Sequence, residues 1–475
     1  MFDRVASRLR SFDQDHVLRW CGELDASRQA RLLAEIDRVD FALLRRLHQQ
    51  AQGVATSDEA PAAKARRATP PSNMVRCPRS EADATARRAA HDRGMELFAA
   101  GRVGALLVAG GQGTRLDFPH PKGMFPIGPV SGKSLFQWLA EQLLARSRKA
   151  AVTIPYYVMT SDATHAETED FFRAHTFFGL DSAAIRFFPQ GNMPAVDAAT
   201  GRVLLASKSE LSLSPDGHGG LLAAMSRAGL FDDLRRRGIE YLYYHQVDNP
   251  LARVCDPEFL GLHALRGAYV SVKVVAKRSP EEKMGVVVDV DGRTQIIEYS
   301  DLPADVAAKK DERGDFRFWA GNTAIHVFRC EFLADLVQRG VELPFHIARK
   351  TVPYFDEAGQ LVQPPIENAI KFERFIFDVL PLAKKTLVVE ADRDAEFNPL
   401  KNKSGEFSPP DVQRSLVALH RSWLRAAGVP VSDSVAVEIS PLFALGPDDV
   451  AARKADVERL AAARDRASAA WHISD

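Results

Sequence analysis

The stretch Leu106–Phe125, LLVAGGQGTRLDFPHPKGMF, constrains the chain more than any other. Ala105–Ala109 is apolar throughout and flanked by glycines, the pattern of a short buried strand in an α/β sheet. Gly110, Gly111 and Gly113 follow, with Gln112 between them. Lacking a Cβ, such residues let backbone N–H groups approach a ligand closely, in conformations closed to other residues. A loop of this kind is an anion cradle, suited to a phosphate or to the edge of a base. Arg115 and Lys122 follow closely and add two cations, which points to a polyphosphate.

Two common phosphate motifs are excluded. A dinucleotide fingerprint needs G-x-G-x-x-G, and Leu116 stands where its third glycine belongs. A Walker A loop needs four residues between its first glycine and Gly-Lys-Ser, whereas Gly128 and Gly132-Lys133-Ser134 are separated by three, and no strand precedes them.

At 475 residues the chain can hold one large α/β domain with smaller appendages. Its 62 basic and 62 acidic residues cancel, so no global field recruits nucleic acid or an anionic membrane, and any phosphate site is local. Cys21, Cys77, Cys255 and Cys330 are scattered without a C-x-x-C pair; this argues against a disulfide framework or a zinc site and fits a reducing cytoplasm. The opening MFDRVASRLRSFDQ lacks the apolar core of a signal peptide, and no run of 18 apolar residues occurs. A cytoplasmic protein with neither nucleic-acid nor membrane partners is expected.

Residues 1–50 carry apolar residues at helical spacing, Leu32, Leu33, Ile36, Phe41 and Leu44 among them, and read as a helical subdomain packed on the core. Gln52–Pro71 is rich in Ala, Ser and Pro and reads as a linker. Ser80 with Asp83 forms a capping-box signal for a helix to about Ala100. Strands are expected at Ala105–Ala109, Tyr156–Thr160, Ile185–Phe188, Tyr241–Gln246, Tyr269–Ala276, Val286–Val290, Ile296–Tyr299 and Ala324–Phe328. Ser134–Arg146, Ala163–His175 and Gly219–Ala228 read as intervening helices. Such alternation predicts an α/β fold, a largely parallel central sheet covered by helices on both faces, with ligands at the carboxyl ends of its strands. From about Asp411 the chain turns helical and then returns to an extended Val435–Ile439. The expected division is 1–100 as the helical N-terminal region, 101–385 as the catalytic domain and 386–475 as a C-terminal module.

Several further motifs have chemistry to offer, each with a plainer reading beside it. Pro215–Gly220, PDGHGG, exposes backbone N–H groups ahead of an apolar helix, though P-D-G is also an ordinary turn. Asp248, in YHQVDNP, ends an apolar strand; a carboxylate there suits Mg²⁺, which takes hard oxygen ligands and often only one or two carboxylates, but an Asp-Asn turn explains the pattern equally well. Met284–Leu302 alternates like a hairpin turning at Asp291-Gly292. Gln190, Glu298, Asn322 and Lys401 are, by pattern alone, surface or turn residues, and Phe375 and Phe377 are core.

The run GGQGTRLDFPHPKGMF resembles the signature loop of the eukaryotic-type UTP:sugar-1-phosphate uridylyltransferases. It is closest to the UDP-N-acetylhexosamine pyrophosphorylase branch, whose loop reads GGQGTRLG followed by PKGMF or PKGMY. The resemblance covers roughly residues 12–45 and 95–445 and includes VDN, AGN and PLKN motifs. It implies a Rossmann-like nucleotidyltransferase core with a helical N-terminal region and a small C-terminal module. The implied reaction joins UTP and a sugar 1-phosphate into a UDP-sugar and pyrophosphate. By this resemblance Gly110, Gly111, Gln190, Gly217 and His218 meet the nucleotide, Gln190 reading the uracil edge. Arg115, Lys122 and Lys401 hold phosphates, and Asp248 holds Mg²⁺. Gly285, Glu298, Asn322, Phe375 and Phe377 meet the sugar, the two aromatics near its acetamido group. His218 departs from the branch, which usually has Asn there, and resembles the GHGD of UDP-glucose and broad UDP-sugar enzymes. A UDP-glucose or broad-specificity enzyme therefore stands beside UDP-N-acetylglucosamine synthesis; a nucleotide-sugar-binding protein without turnover is a separate second reading.

Overall fold

The computed structural model describes residues 2–53, 61–462 and 469–475. They fall into two compact units interleaved in sequence, whereas the sequence reading cut the chain into successive blocks. One draws on residues up to 53, 190–223 and 342–378; the other on 61–189, 224–341 and 379 onward.

The larger unit is built on a ten-stranded sheet. Its strands run in the order Met74–Val75, Thr386–Glu390, Val270–Ala276, Ala320–Arg329, Tyr241–Gln246, Val103–Val108, Tyr156–Thr160 and Ile185–Pro189. Neighbours are parallel except at Ala320–Arg329, which runs antiparallel to both strands beside it and also carries the hairpin Val286–Val290/Arg293–Ile297. Side chains alternate between faces along a strand, so one buried at every position, as Tyr156–Thr160 is, must be covered on both. The expected α/β sheet is thus present, mixed and mostly parallel. Two strands escaped the sequence reading: Met74–Val75 is too short for a periodicity signal, and Thr386–Glu390 is a brief apolar run beside Pro381. The expected strand Ile296–Tyr299 lies earlier, at Arg293–Ile297, because Asp291 (φ 52°) and Gly292 (φ 75°) close a two-residue turn directly ahead of it.

Helix Glu81–Ala99 starts at the Ser80/Asp83 capping box, whose side chains bond the backbone reciprocally. It crosses helix Pro257–Arg266 at backbone contact: a Cβ on Gly94 would lie 1.8 Å from the Pro257 carbonyl oxygen, and one on Gly261 would lie 1.7 Å from that of Ala90. Glycine is required there by space rather than by torsion.

Residues 61–71, expected as linker, are structured; residues 54–60 of that segment lie outside the described residues. Pro61–Arg67 is a helix whose small Ala65, with Ala68, is buried against Val286, Val288 and Val290. Arg66 and Arg67 pair with Asp305 and Asp291, and Thr69 bonds the backbone of Asp289. Alanine composition looked like a tether because each side chain is small, which is also what lets the segment lie close on the hairpin.

In the smaller unit the helices Phe2–Arg10, Ala26–Asp37 and Phe41–Ala51 bury Leu32, Ile36 and Leu44 with Val196, Leu205, Ile370 and Phe372. Asp25 and Asp40 cap the second and third by accepting from the N–H of Arg28 and Leu43, both at 2.9 Å. The strands Phe345–Lys350, Ala369–Arg374 and Val196–Asp197 form its antiparallel sheet. At the other end of the chain, Ala436–Ile439 pairs in parallel with Ala470–Ile473.

Among the described residues no helix is long and apolar enough to cross a membrane, and the four cysteines are free thiols. The helix crossing supplies a stability test: Gly94→Ala should lower unfolding free energy by about 1–3 kcal/mol or more through overpacking, read by thermal denaturation. A melting temperature equal to wild type would contradict the close approach.

Candidate functional site

The carboxyl ends of Val103–Val108, Tyr241–Gln246, Val270–Ala276 and Thr386–Glu390 lie at one edge of the large sheet, with the amino end of the antiparallel strand Ala320–Arg329 among them. The glycine loop and Asp248 follow directly from that edge, Asn322 lies near the amino end of Ala320–Arg329, and Lys401 comes after the short helix Arg393–Glu396 that follows Thr386–Glu390.

The loop's glycines do different things. A Cβ on Gly111 would meet nothing within 4 Å, so its backbone faces open space. Gly113 instead serves loop closure: its N–H donates to the His120 carbonyl at 3.0 Å, and a Cβ would lie 2.7 Å from the Phe118 carbonyl oxygen. Gly110 is buried, its carbonyl accepting from Ser161 Oγ at 2.8 Å. Lys122 is tied back by its own N–H, which donates to the Gly111 carbonyl at 3.0 Å. The next residue, Gly123, leaves room for Phe136, whose ring would lie 2.2 Å from a Cβ there.

Lys122, Asp248, Lys401 and Arg115, far apart in sequence, share one electrostatic neighbourhood. Burial lowers the Lys122 pKa from its ordinary value; Asp248 opposes that shift, while Lys401 and Arg115 add to it. Lys122 Nζ donates to the Leu400 carbonyl at 3.4 Å, and the Leu400 N–H donates to the Asp248 carbonyl at 2.7 Å. Asp248 and Lys401 are half-buried and Arg115 is exposed. Lys401 Nζ lies 6.0 Å from the Phe407 ring centroid. Three cations beside a single carboxylate leave an excess of positive charge that an anion would relieve.

Gly285, Glu298 and Asn322 also come together. A Cβ on Gly285 would lie 2.6 Å from Glu298 Oε1, and the Asn322 N–H donates to the Gly285 carbonyl at 2.8 Å. Asn322 Oδ1 accepts from the Ala324 N–H at 3.0 Å, which holds the amide across the bulge of its strand.

The smaller unit holds a second group. Gly217 has φ 84°, and a Cβ on it would lie 2.4 Å from the Arg374 carbonyl oxygen, so torsion and space both demand glycine. His218 stacks on Phe375 at 5.2 Å and lies 5.7 Å from Phe377. Its Nδ1 accepts from the Ile376 N–H at 3.1 Å, so the neutral ring carries its proton on Nε2. Burial, with His346 adding to it, lowers the His218 pKa to about 4. Gln190 is also buried in this unit.

Sequence reasoning passed over three neighbours. The carboxylate of buried Asp216 lies against Gly191 and Gly220, where Cβ atoms would be 2.5 and 2.3 Å away; the glycines flanking PDG were the available signal. His346 Nε2 meets Asp378 Oδ2 at 2.8 Å, and its ring lies 4.4 Å from that of Phe375; nothing in the local sequence marks the pair. Asn249 follows Asp248 and is buried, where an Asp-Asn turn would leave it exposed.

A glycine loop after a core strand, with a lysine cluster and one carboxylate at the carboxyl edge of a mixed sheet, fits the α/β nucleotidyltransferase class. The family model for UTP–glucose-1-phosphate uridylyltransferase matches residues 52–454, and the chain belongs to that family, the UTP:sugar-1-phosphate uridylyltransferases. It is 38% identical over 457 residues to UDP-N-acetylhexosamine pyrophosphorylase-like protein 1 of Homo sapiens, covering 94% of this chain and 89% of that one. With the UDP-N-acetylglucosamine pyrophosphorylase of Saccharomyces cerevisiae it shares 39% identity over 374 residues, 77% of this chain and 78% of the yeast protein. The crystal structure of the uridine diphosphate N-acetylglucosamine pyrophosphorylase from Trypanosoma brucei in complex with inhibitor superposes with a TM-score of 0.85 at 27% identity, covering 100% of this chain and 98% of that one.

The depressed His218 pKa has a consequence in solution. Its folded value lies below the ordinary 6.5, so protonation opposes folding; the neutral ring's contribution to stability is present above that value and is lost as pH falls towards about 4. NMR resonances of the ring should show no inflection from about pH 8 to about pH 5. Titration near the ordinary histidine value would overturn the neutral assignment.

Proposed function

We propose that the protein makes UDP-N-acetylglucosamine and pyrophosphate from UTP and N-acetylglucosamine 1-phosphate. The observation that carries this reading is the shared neighbourhood of Lys122, Arg115, Lys401 and Asp248 beside the open Gly111 backbone. The names of the yeast and trypanosome relatives support the choice of sugar.

A sugar phosphate is already ionised at neutral pH and is a competent nucleophile, so the reaction requires neither a general base nor a covalent intermediate. What the protein supplies is alignment for in-line attack at the α-phosphorus and neutralisation of the transferring group and the leaving pyrophosphate. In this reading Lys122 and Arg115 hold the UTP phosphates, with Gly110 and Gly111 lending main-chain amides. Lys401 covers the bridging phosphates. Gln190, Gly217 and His218 recognise the nucleoside; an amide suits uracil because it offers both a donor and an acceptor. Glu298 accepts from sugar hydroxyls beside Gly285 and Asn322, and Phe375 and Phe377 line the acetamido group.

The metal is assigned as Mg²⁺ on Asp248. The fit is chemical: no described residue donates a hydrogen bond to this half-buried carboxylate, and its oxygens are hard ligands. Among the described residues no group of three or more His, Cys, Asp or Glu could hold a metal, so a cation here would take most of its ligands from phosphate and water. When bound, it supplies neutralisation of phosphate charge. Free, separated cysteines accord with a cytoplasmic setting.

One observation favours a second reading. His218, stacked on Phe375, occupies a position resembling the GHGD histidine of UDP-glucose and broad-specificity enzymes. Pyrophosphate release with UTP, Mg²⁺ and a panel of sugar 1-phosphates separates the two. Selective turnover of N-acetylglucosamine 1-phosphate is expected; equal or greater efficiency with glucose 1-phosphate would shift the assignment to the second reading, and no release with any sugar would leave a binding protein. Lys122→Ala should reduce turnover about 10²–10³-fold, as loss of a transition-state charge contact does. Turnover at the wild-type rate in that variant would remove Lys122 from its assigned role.

A further inference from the structure

Lys401 lies in a loop, and loops do not hold a charge to sub-ångström tolerance unless something fixes their backbone. The segment Glu396–Lys401 is fixed at several points, and the central one is a side chain outside the proposed substrate contacts. Asn249 is 4% exposed and sits next to Asp248. Its Nδ2 donates to the Glu396 carbonyl at 2.8 Å, and its Oδ1 accepts from the Asn398 N–H at 3.2 Å. One amide thus satisfies a backbone acceptor and a backbone donor two residues apart, its NH2 and its carbonyl oxygen supplying the donor and the acceptor from two separate atoms.

The rest of the segment follows from that grip. The Leu400 N–H reaches the Asp248 carbonyl and the Leu400 carbonyl receives Lys122 Nζ, so a single residue ties the Lys122 ammonium to the backbone of Asp248. The Lys401 N–H then donates to the Phe407 carbonyl at 2.8 Å, which closes the loop. Upstream, the Glu396 carboxylate accepts from buried Lys273 Nζ at 2.5 Å, whose other partner is Asp256 Oδ2 at 2.7 Å. The strap is therefore held at its foot by buried ions and at its middle by Asn249, leaving Lys401 as its free working end.

We propose that Asn249 is a positioning residue that sets Lys401, through the Glu396–Leu400 backbone, in register with Lys122 and Asp248. This rests on the uridylyltransferase reading above. Removing the amide leaves Nδ2's carbonyl and Oδ1's N–H partners buried and unsatisfied, and the strap relaxes away from the Asp248 turn.

The test is a double-mutant cycle on the full chain, with kcat and KM measured for both substrates. Asn249→Ala should lower kcat about 10–100-fold, the scale of a small misplacement of a charge, and change KM for the sugar 1-phosphate less than about 3-fold. In a Lys401→Ala background the same change should cost less than about 3-fold, because the group it positions is gone. Asn249→Ser, which keeps a hydroxyl to satisfy one backbone partner, serves as the milder variant should alanine prevent folding, and its kcat should fall between the two. Melting temperatures and calorimetric UTP affinity accompany the kinetics, so that loss of folded protein is seen as such. An active wild type with additive losses, or with wild-type kcat in both Asn249 variants, overturns the positioning role alone. A wild type that turns over no sugar 1-phosphate overturns the parent reading and this role with it.

Discussion

The larger unit is constrained by the unbalanced positive charge it holds at one edge of its sheet. Lys122, Arg115 and Lys401 repel one another, and burial further disfavours the charge on Lys122. Among the described charges acting on Lys122, Asp248 is the one that offsets this. Such a cluster does not assemble for stability; it persists because the surrounding scaffold is rigid enough to hold it, and a polyanion is the natural complement. The scaffold meets that requirement with backbone contacts: the Lys122 N–H on Gly111, its ammonium on Leu400, and the Leu400 N–H on Asp248.

Beneath that edge lies a second charged group with the opposite character. Lys273, 2% exposed, is enclosed by Asp256 and Glu396, with Arg253 at 3.5 and 3.7 Å from the same carboxylates. Burial works against the Lys273 charge, but the two carboxylates outweigh it and raise its pKa. Breaking a buried pair of this kind by removing one partner costs about 3–5 kcal/mol, although an apolar replacement of the whole set is often neutral. Its value here is geometric: Glu396 begins the segment that ends in Lys401, so a neutralised buried cluster anchors an unneutralised working one.

Much of this was legible in the sequence. The strand before the glycine loop, the Ser80/Asp83 capping box, the Asp291-Gly292 turn and the alternation of strands with helices follow from local rules, and each is present. The local rules went wrong where a segment's neighbours, rather than its own pattern, decide its state. Ala65 and Ala68 look like linker residues until the valines of the hairpin are placed over them. Gly113 looks like a ligand contact until its N–H is found on His120. Asn249 and the His346–Asp378 pair carry no local signal, since one depends on a partner 147 residues away and the other on one 32 residues away.

The sequence by itself determined the chemistry on offer: open main-chain amides after an apolar strand, with lysines and one aspartate in polar loops. These are properties of residue type and short-range spacing, which covalent geometry carries wherever the chain goes. Only the tertiary structure decided which of those groups meet. Lys122, Asp248 and Lys401 become neighbours because parallel strands bring their carboxyl ends to a common edge, and pairing between distant strands is set by burial summed over the whole sheet, a quantity that no local stretch contains.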